Sequence, residues 1–584
     1  MQPLWKVIPV TKWHRLRTTL TPLATPFLFR EGGRGVRLNK TATPLEAQTQ
    51  LAKERRRGEG IAHLLFVLLF TLSLCYPRTA AFANPRSPLL KTQEELSAPR
   101  ISYSVTPILD AKSPRIDVYM ILRWEKPPES VEVQMPIWSP GDYHVQNHAQ
   151  HVQNLCARVS SPQTELDVTH PQPYSWRIWT RGHKEVGISY TIPATPPGYF
   201  SENVQILPDQ VFLNGPATFL YVVGHKKVPV TLYLTMRPDW ESVVALPEHK
   251  VPGPEGPDSF RRIEAPNYDT LADSPIVMAS SKVLKVESFT VSKKQHRIAF
   301  FGHSEQIADT KAYVPVLRRI VTAYEKIMGE LPYEQYAFFF DVNGNGGGLE
   351  HLNGTRMAIW GGDPKGIGTF AAHEFFHLWN VKRIRPKVLG PFDYINPPKT
   401  RNLWWSEGVT DYYAHLCVRR AGLISEENFL AQWAGAIKGY GRLEKRLKVS
   451  ADESSLRVWE ANNSSGYGIS YYFKGLLIGL CLDLKIRAVT EGKRSLDDVM
   501  RELMRRGNPP KPGFGEDEIR EVVNLISGQD LTEFYNTLAR KPGEMPFAEC
   551  LGYVGLNTQG KPLPNATPEQ VALRKEWAKS FQKE

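Results

Sequence analysis

The spacing of apolar residues changes near residue 300, and this change is the strongest constraint on the fold. Between about residues 100 and 285, apolar side chains occupy every second position, as in the run from Ile116 to Trp124. That period is typical of strands with one buried face. After residue 300 the spacing becomes three and four, as from Tyr313 to Met328, which is typical of amphipathic helices. The sequence therefore predicts a multidomain α+β protein.

The length of 584 residues is more than one core usually organises, so several domains are expected. An antiparallel β-sandwich-like domain comes first, and an α+β domain that becomes mostly helical follows. We place the boundaries at 1–83 for a leader, 84–99 for a Pro-rich linker, 100–285 for the β-rich domain, 286–555 for the mostly helical domain and 556–584 for a polar tail. Candidate helices in the second domain are 369–384, 403–421, 469–489, 495–505, 516–526 and 530–540.

The net charge of +12 belongs mostly to the leader, because residues 1–83 carry nine of these charges. The remaining +3 gives no electrostatic reason to expect nucleic-acid binding. Five cysteines scattered along the chain do not form a disulfide framework.

The leader has the order of a secretory signal. An apolar run at 61–75 follows three arginines, and Ala81, Phe82 and Ala83 supply a small-x-small cleavage sequence. The run is shorter than the roughly 20 residues of a spanning helix. We therefore expect export, to a periplasm or the extracellular space, with cleavage after Ala83. Membrane association through an uncleaved 61–75 segment is the alternative, since the sixty residues before it exceed a normal signal n-region.

An HExxH motif at 373–377 carries the clearest chemistry. On a helix, the four-residue spacing places His373 and His377 on one face, where both imidazoles can bind one ion. Glu374 lies beside them and can act on a metal-bound water. Thr369 can cap this helix, and Pro386 ends it.

A catalytic zinc needs a third protein ligand and one open position. Glu407, thirty residues after His377, opens a second predicted helix that a Pro-rich loop at 386–398 can fold back against the first. Asp411, one turn later, can accept a hydrogen bond from the far nitrogen of a ligand histidine and fix its tautomer. We predict one Zn²⁺ on His373, His377 and Glu407, with Asp411 behind them; two solvated acids on an amphipathic helix is the alternative.

Two other histidines compete as ligands. His415 follows Asp411 by one turn, but two histidines and one glutamate already complete the set, so we interpret it as structural. His351 belongs to a separate Gly-rich segment.

Several segments together resemble the glycyl aminopeptidase family of gluzincin metallopeptidases. They are HEFFHLWNVKRIRP and WWSEGVTDYY around the predicted ligands, MPIWSPGDY at 135–143, GGGLEH at 346–351 and SYYFKG at 470–475. The resemblance covers about residues 100–555. It implies an N-terminal β domain, a thermolysin-like catalytic domain and a C-terminal PDZ domain, for which the 28 residues after Leu556 are too few.

The resemblance also implies roles for residues outside the HExxH motif. Glu350 corresponds to the acid that binds the free α-amino group of a peptide, and the backbone at Gly347 and Gly348 approaches the substrate closely. A flexible turn is the simpler reading of these glycines. Tyr472 corresponds to the tyrosine that stabilises the oxyanion, although Tyr471 and Tyr467 are close neighbours.

These assignments predict an aminopeptidase in which Glu374 is the general base toward a zinc-activated water. Its partners are peptides with a free N-terminus, and the resemblance implies a preference for small first residues, Gly or Ala. Two alternatives remain: an endopeptidase on the same site, and a catalytically silent exported binding protein.

Overall fold

The computed structural model describes residues 97–584, apart from 161–162, 196–202, 254–255, 304–308, 343–346, 360–362, 462–468, 509–510 and 583–584. The predicted leader at 1–83, with its apolar run at 61–75, lies outside the described residues, as does nearly all of the 84–99 linker. Within the described part of the chain, no helix is both long and apolar enough to cross a membrane.

The first half of the described chain is built almost entirely of strands. An eight-stranded sheet has the order β14-β15-β12-β1-β2-β8-β4-β5, and two four-stranded sheets have the orders β13-β16-β10-β9 and β11-β3-β7-β6. The strands are β1 Arg100–Ile108, β2 Arg115–Arg123, β3 Val131–Gln134, β4 Gln153–Ser160, β5 Gln163–Leu166, β6 Val168–Gln172, β7 Ser175–Ile178, β8 Glu185–Pro193, β9 Gln205–Leu207, β10 Gln210–Leu213, β11 Tyr221–Val222, β12 Val230–Thr235, β13 Trp240–Val244, β14 Glu248–Gly253, β15 Gly256–Ala265 and β16 Ile276–Ser280.

The alternating apolar pattern forms the core of this half, as predicted. On β2, the side chains of Ile116, Val118, Met120 and Leu122 are buried. One pairing departs from the antiparallel prediction, because β1 and β12 run parallel. The long intervening chain makes this possible, since parallel neighbours need a crossover rather than a hairpin.

The second half begins with a five-stranded sheet and continues as helices. The sheet order is β17-β18-β19-β21-β20, with strands β17 Lys285–Val291, β18 Lys294–Phe301, β19 Gln335–Asp341, β20 Gly348–His351 and β21 Gly354–Ala358. The described α-helices of the chain are Tyr268–Ala272, Tyr313–Met328, Gly368–Phe376, Thr410–Arg420, Glu426–Gly441, Ala451–Leu456, Val458–Ala461, Tyr471–Val489, Leu496–Gly507, Glu518–Ser527, Thr532–Ala539, Phe547–Gly552 and Pro568–Trp577.

The helix that carries the HExxH motif is shorter than the predicted 369–384. It spans Gly368–Phe376, and irregular turns follow it. The physical reason lies at Asn380, whose carbonyl oxygen accepts a hydrogen bond of 2.7 Å from the His377 ring. The main chain therefore turns back toward the imidazole instead of continuing the helix.

The segment predicted as a helix over 403–421 has two parts. It begins with a π-helical turn, Trp404–Val409, and continues as the α-helix Thr410–Arg420. π-Turns inside helices occur frequently at functional sites. This one carries Glu407.

Apolar contacts join the two halves. Phe212, Val243 and Val277 of the strand-rich half form one buried cluster with Phe301 and Phe339 of the five-stranded sheet. At the other end of the chain, Pro568–Trp577 lies against the helical half, where the Trp577 indole is fully buried.

Candidate metal centre

The two histidines of the HExxH motif present one ring nitrogen each to the same point. His373 Nδ1 donates to Asp411 Oδ1 at 2.7 Å, and His377 Nδ1 donates to the Asn380 carbonyl at 2.7 Å. Because both acceptors lack a proton, these bonds fix the tautomer and leave the Nε2 lone pair of each ring available. Those two Nε2 atoms lie 3.0 Å apart.

Glu407 brings a third candidate ligand atom to the two Nε2 atoms. Its Oε2 lies 3.3 Å from His377 Nε2 and 3.8 Å from His373 Nε2, and the carboxylate is buried. Three ligands about 2.1 Å from one ion at tetrahedral angles would be separated by about 3.4 Å. The donor set of two imidazole nitrogens and one carboxylate therefore fits a divalent metal.

Asn380 fixes Glu407 relative to the histidines. Its side-chain amide donates to the Trp405 carbonyl at 2.7 Å and to Thr410 Oγ1 at 3.1 Å. Asn380 thus joins the turn after the HExxH helix to the turn that carries the third ligand. The sequence analysis did not identify it, because nothing in its spacing distinguishes it from a helical asparagine.

Two glycines set the position of the Glu407 turn. A Cβ on Gly475 would lie 2.2 Å from the Trp404 carbonyl oxygen, and one on Gly408 would lie 2.4 Å from the Gly475 Cα. The helix Tyr471–Val489 and the π-turn therefore meet backbone to backbone. This contact explains why positions 408 and 475 are both glycine.

The surroundings of the three ligands favour positive charge. Burial opposes a charged His377, but Glu407 and Glu350 outweigh it and raise the pKa of His377 to about 10. The same acidic surroundings favour a metal cation. A second group that could hold an ion, Glu350, Glu374 and His377, also converges, but it leaves the free nitrogen of His373 unused, so His373, His377 and Glu407 are the better candidate set.

Glu374 lies beside the ligands in a space that a glycine leaves open. A Cβ on Gly348 would lie 2.2 Å from Glu374 Oε1. Burial raises the pKa of Glu374 to about 7, with Glu350 and Glu407 acting in the same direction and both imidazoles opposing. Such a carboxyl group exchanges protons near neutral pH.

Glu350 belongs to the short strand beside Gly348 and is buried near the same centre. No described residue hydrogen-bonds to its Oε1, and the nearest cation, Lys382 Nζ, is 3.9 Å away. A buried carboxylate oxygen without a donor is costly unless a ligand supplies one. Gly347, which directly precedes Gly348, has a φ of 77°, which glycine adopts without strain.

Two tyrosines border the centre. The Tyr472 ring stacks on His373 with centroids 6.1 Å apart, and the Tyr143 hydroxyl donates to Glu407 Oε1 at 3.5 Å. Burial, followed by the charge of Glu407, raises the pKa of both hydroxyls, so both remain protonated donors. Tyr471 stacks on Tyr472, whereas Tyr467 lies outside the described residues.

Tyr143 is a contact that the sequence analysis missed, because it comes from the strand-rich half. Its only indication was its place at the end of MPIWSPGDY, one of the segments that carry the family resemblance. In the same loop, a Cβ on Gly141 would lie 2.7 Å from Glu350 Oε1. The loop 139–143 therefore forms one wall of the centre.

The two competing histidines lie elsewhere. His415 hydrogen-bonds to Gln432 at 3.0 Å, and His351 bonds to Asp273 at 3.1 Å. Neither belongs to a group of converging ligands within the described ranges.

Comparison with known proteins identifies related sequences and a similar fold. A family model described as M61 glycyl aminopeptidase matches residues 367–478, and one described as the peptidase M61 N-terminal domain matches residues 104–280. A crystal structure of an aminopeptidase N family protein from Idiomarina loihiensis is similar, with a TM-score of 0.70, 26% identity and coverage of 78% of each chain. No curated protein matches the sequence.

Proposed function

Because this chain belongs to the M61 glycyl aminopeptidase family and is a metallopeptidase, we propose that it is a zinc-dependent aminopeptidase. In this proposal it removes the N-terminal residue of a peptide, with a preference for Gly or Ala. The preference rests on the family resemblance. The observation that carries the proposal is the convergence of His373, His377 and Glu407 beside a buried carboxylate, Glu350, that has an oxygen without a hydrogen-bond donor.

The two histidines and Glu407 would hold the ion. Zinc, when bound, supplies a Lewis acid that polarises a carbonyl and lowers the pKa of water to about 7. Asp411 and the Asn380 carbonyl keep the histidine rings in the tautomer that binds. Nitrogen and carboxylate ligands of this kind suit zinc.

Glu374 moves the proton. Its carboxylate accepts a proton from the attacking water and delivers it to the nitrogen of the leaving amine. Gly348 leaves room for this side chain, and its burial keeps bulk water away from the proton. The pKa of about 7 suits both halves of the transfer.

Glu350 sets the register of the peptide. Its free oxygen binds the N-terminal ammonium group as an ion pair, which fixes the first residue between this carboxylate and the ligand set. A peptide without a free amine leaves the same oxygen unpaired and loses that interaction.

Tyr472 and Tyr143 can each donate a hydrogen bond to the oxygen that becomes negative as the amide is attacked. Removing one such donor typically lowers the rate by about 10²–10³. Tyr472, which stacks on His373, is the one we assign to this role. Tyr143 already donates to Glu407 and orients that ligand.

The proposal is tested with the purified protein, its metal content and alanine p-nitroanilide. We expect about one zinc per chain in both wild type and Glu374→Ala, because Glu374 is not a ligand, with turnover lower by about 10²–10⁴ in the variant. Glu407→Ala is expected to lose the metal itself. Full turnover by Glu374→Ala would contradict the mechanism.

The same assay separates an aminopeptidase from an endopeptidase. We expect hydrolysis of a peptide with a free N-terminus and rejection of its N-acetylated twin. Equal hydrolysis of both would show that Glu350 does not bind the amine and would favour an endopeptidase on the same centre.

A further inference from the structure

Lys382 lies between two buried carboxylates, one from each half of the protein. Its Nζ is 3.0 Å from Asp273 Oδ1 and 3.9 Å from Glu350 Oε1. The side chains of Lys382, Glu350 and Asp273 are only 3%, 5% and 7% exposed. The ammonium group thus hydrogen-bonds to Asp273 and remains beyond hydrogen-bonding distance of Glu350.

Asp273 is held in place from several directions. It follows the helix Tyr268–Ala272 and accepts hydrogen bonds from His351 Nδ1 at 3.1 Å and from the Leu352 amide at 2.9 Å, besides that from Lys382. Burial by itself would raise the pKa of Asp273, but Lys382 and His351 outweigh it and hold that pKa below its ordinary value. Asp273 is therefore ionised and pairs with Lys382.

This arrangement matters because Lys382 and a peptide's N-terminus carry the same ammonium group. If Lys382 moved about 1 Å toward Glu350, it would occupy the oxygen that the substrate needs. With Lys382 paired to Asp273, the three groups carry a net charge of −1, and that charge is left at Glu350. An incoming ammonium neutralises it in a low-dielectric environment, where charge pairs are strong.

A small cavity lies at the same place. Its volume is about 10 Å³, and its walls include Gly141, Tyr143, Glu350 and Lys382. A space of about 10–15 Å³ holds one water molecule, which is the size of an ammonium group. A space of one-water size therefore borders both Glu350 and Lys382.

We propose that Asp273 and Lys382 are positioning residues for amine recognition: Asp273 holds Lys382 away from Glu350, so that Glu350 keeps a free oxygen for the N-terminal ammonium of the peptide. This inference rests on the proposed aminopeptidase function. It adds a residue of the strand-rich half, Asp273, to the determinants of substrate choice.

The test is a double-mutant cycle of Asp273→Asn, Lys382→Met and the double variant, with alanine p-nitroanilide as substrate. Asp273→Asn releases Lys382 onto Glu350, so we expect KM to rise about tenfold or more while kcat changes by less than about threefold. In the double variant the competing ammonium is gone, and KM returns to within about threefold of wild type. A merely structural pair would instead lower the free energy of unfolding in the single variants and leave KM near that of wild type.

Lys382→Met and Asp497→Asn keep the test decisive. Lys382→Met removes the competitor without releasing it, so KM is expected to stay level or fall even if Asp273→Asn does not fold. Asp497→Asn also removes a buried carboxylate paired to a buried cation, Arg420, at 2.8 Å, and its KM is expected to match wild type.

Two results would overturn the inference: a double variant whose KM is as high as that of Asp273→Asn, or a Lys382→Met variant whose KM rises tenfold. Failure of the proposed function looks different. In that case wild type hydrolyses the N-acetylated and free substrates equally, and Glu350→Gln does not change KM.

Discussion

At the scale of single residues, the centre depends on groups that do no chemistry themselves. Asp411 and the Asn380 carbonyl orient the two imidazoles, and Gly348 provides the space in which Glu374 lies. Each of these contacts constrains an atom that must be placed within a fraction of an ångström to act.

Gly348→Ala tests the placement of Glu374 without removing it. The added methyl would overlap the Glu374 carboxylate, so we expect kcat to fall by about 10², within the range that a positioned base contributes. The metal content should equal that of wild type, because the three atoms nearest to the added Cβ all belong to Glu374, which is not one of the candidate ligands.

Gly366→Ala is the matched control, since a Cβ there meets no atom within 4 Å. We expect its kcat to remain near wild type. Equal kcat in Gly348→Ala and wild type would show that Glu374 does not need this position.

The sequence could place His373 and His377 side by side because their spacing is local. A four-residue interval brings His373 and His377 together on any helix, and Asp411 follows Glu407 by the same interval. The helix end at Phe376 was mispredicted, because it is fixed by the bond from His377 to the Asn380 carbonyl, a contact within a turn that no period reveals.

At the scale of secondary-structure elements, Glu407 is placed by close packing of two segments. The π-turn Trp404–Val409 and the helix Tyr471–Val489 approach each other through Gly408 and Gly475. A side chain at either glycine would separate the backbones, and Glu407 would move with the turn.

Gly475→Ala is therefore expected to weaken metal binding. Its Cβ would lie 2.2 Å from the Trp404 carbonyl oxygen, so we expect the protein to be destabilised by about 1–3 kcal/mol, the usual cost of overpacking. Metal affinity should fall by about tenfold as well, as for other residues that orient a ligand; competition with a chelator measures it.

The control for this change is Gly435→Ala, in the exposed face of the helix Glu426–Gly441, where a Cβ meets nothing within 4 Å. Alanine is the better helix former by about 1 kcal/mol, so that variant should be at least as stable as wild type. Wild-type metal affinity in Gly475→Ala would exclude a role for this packing in placing Glu407.

At the scale of the whole molecule, distant parts of the chain meet around the helix Thr410–Arg420, which follows Glu407. Trp577, near the C-terminus, donates from its indole nitrogen to the Tyr412 hydroxyl at 3.0 Å, and its ring contacts Phe429 and Trp433. The Ala578 carbonyl accepts from Arg419 at 2.8 Å. The segment expected to be a polar tail is thus anchored to the helix that follows Glu407.

Trp577→Ala tests this anchoring. Truncating a fully buried tryptophan typically costs about 3–5 kcal/mol, so we expect a clear loss in the free energy of unfolding, measured by chemical denaturation. A change below about 0.5 kcal/mol, as for an ordinary surface substitution, would show that the segment does not stabilise the helical half.

Long-range contacts of this kind explain what the sequence could not predict. Alternation predicts that β2 is a strand, but no local pattern shows that Tyr143 reaches Glu407, 264 positions later, or that Asp273 holds Lys382, 109 positions later. Such pairs are set by how the sheets pack on one another, here through Phe212 and Phe339.

The loop 139–143 has a consequence for how this protein can be divided. Residues 286–584 alone would retain the two imidazoles and the third ligand, yet they would lack the loop that covers Glu350 and the aspartate that restrains Lys382. The amino-terminal half therefore contributes residues to the centre itself. Swapping it for that of a distant homologue is expected to alter hydrolysis itself.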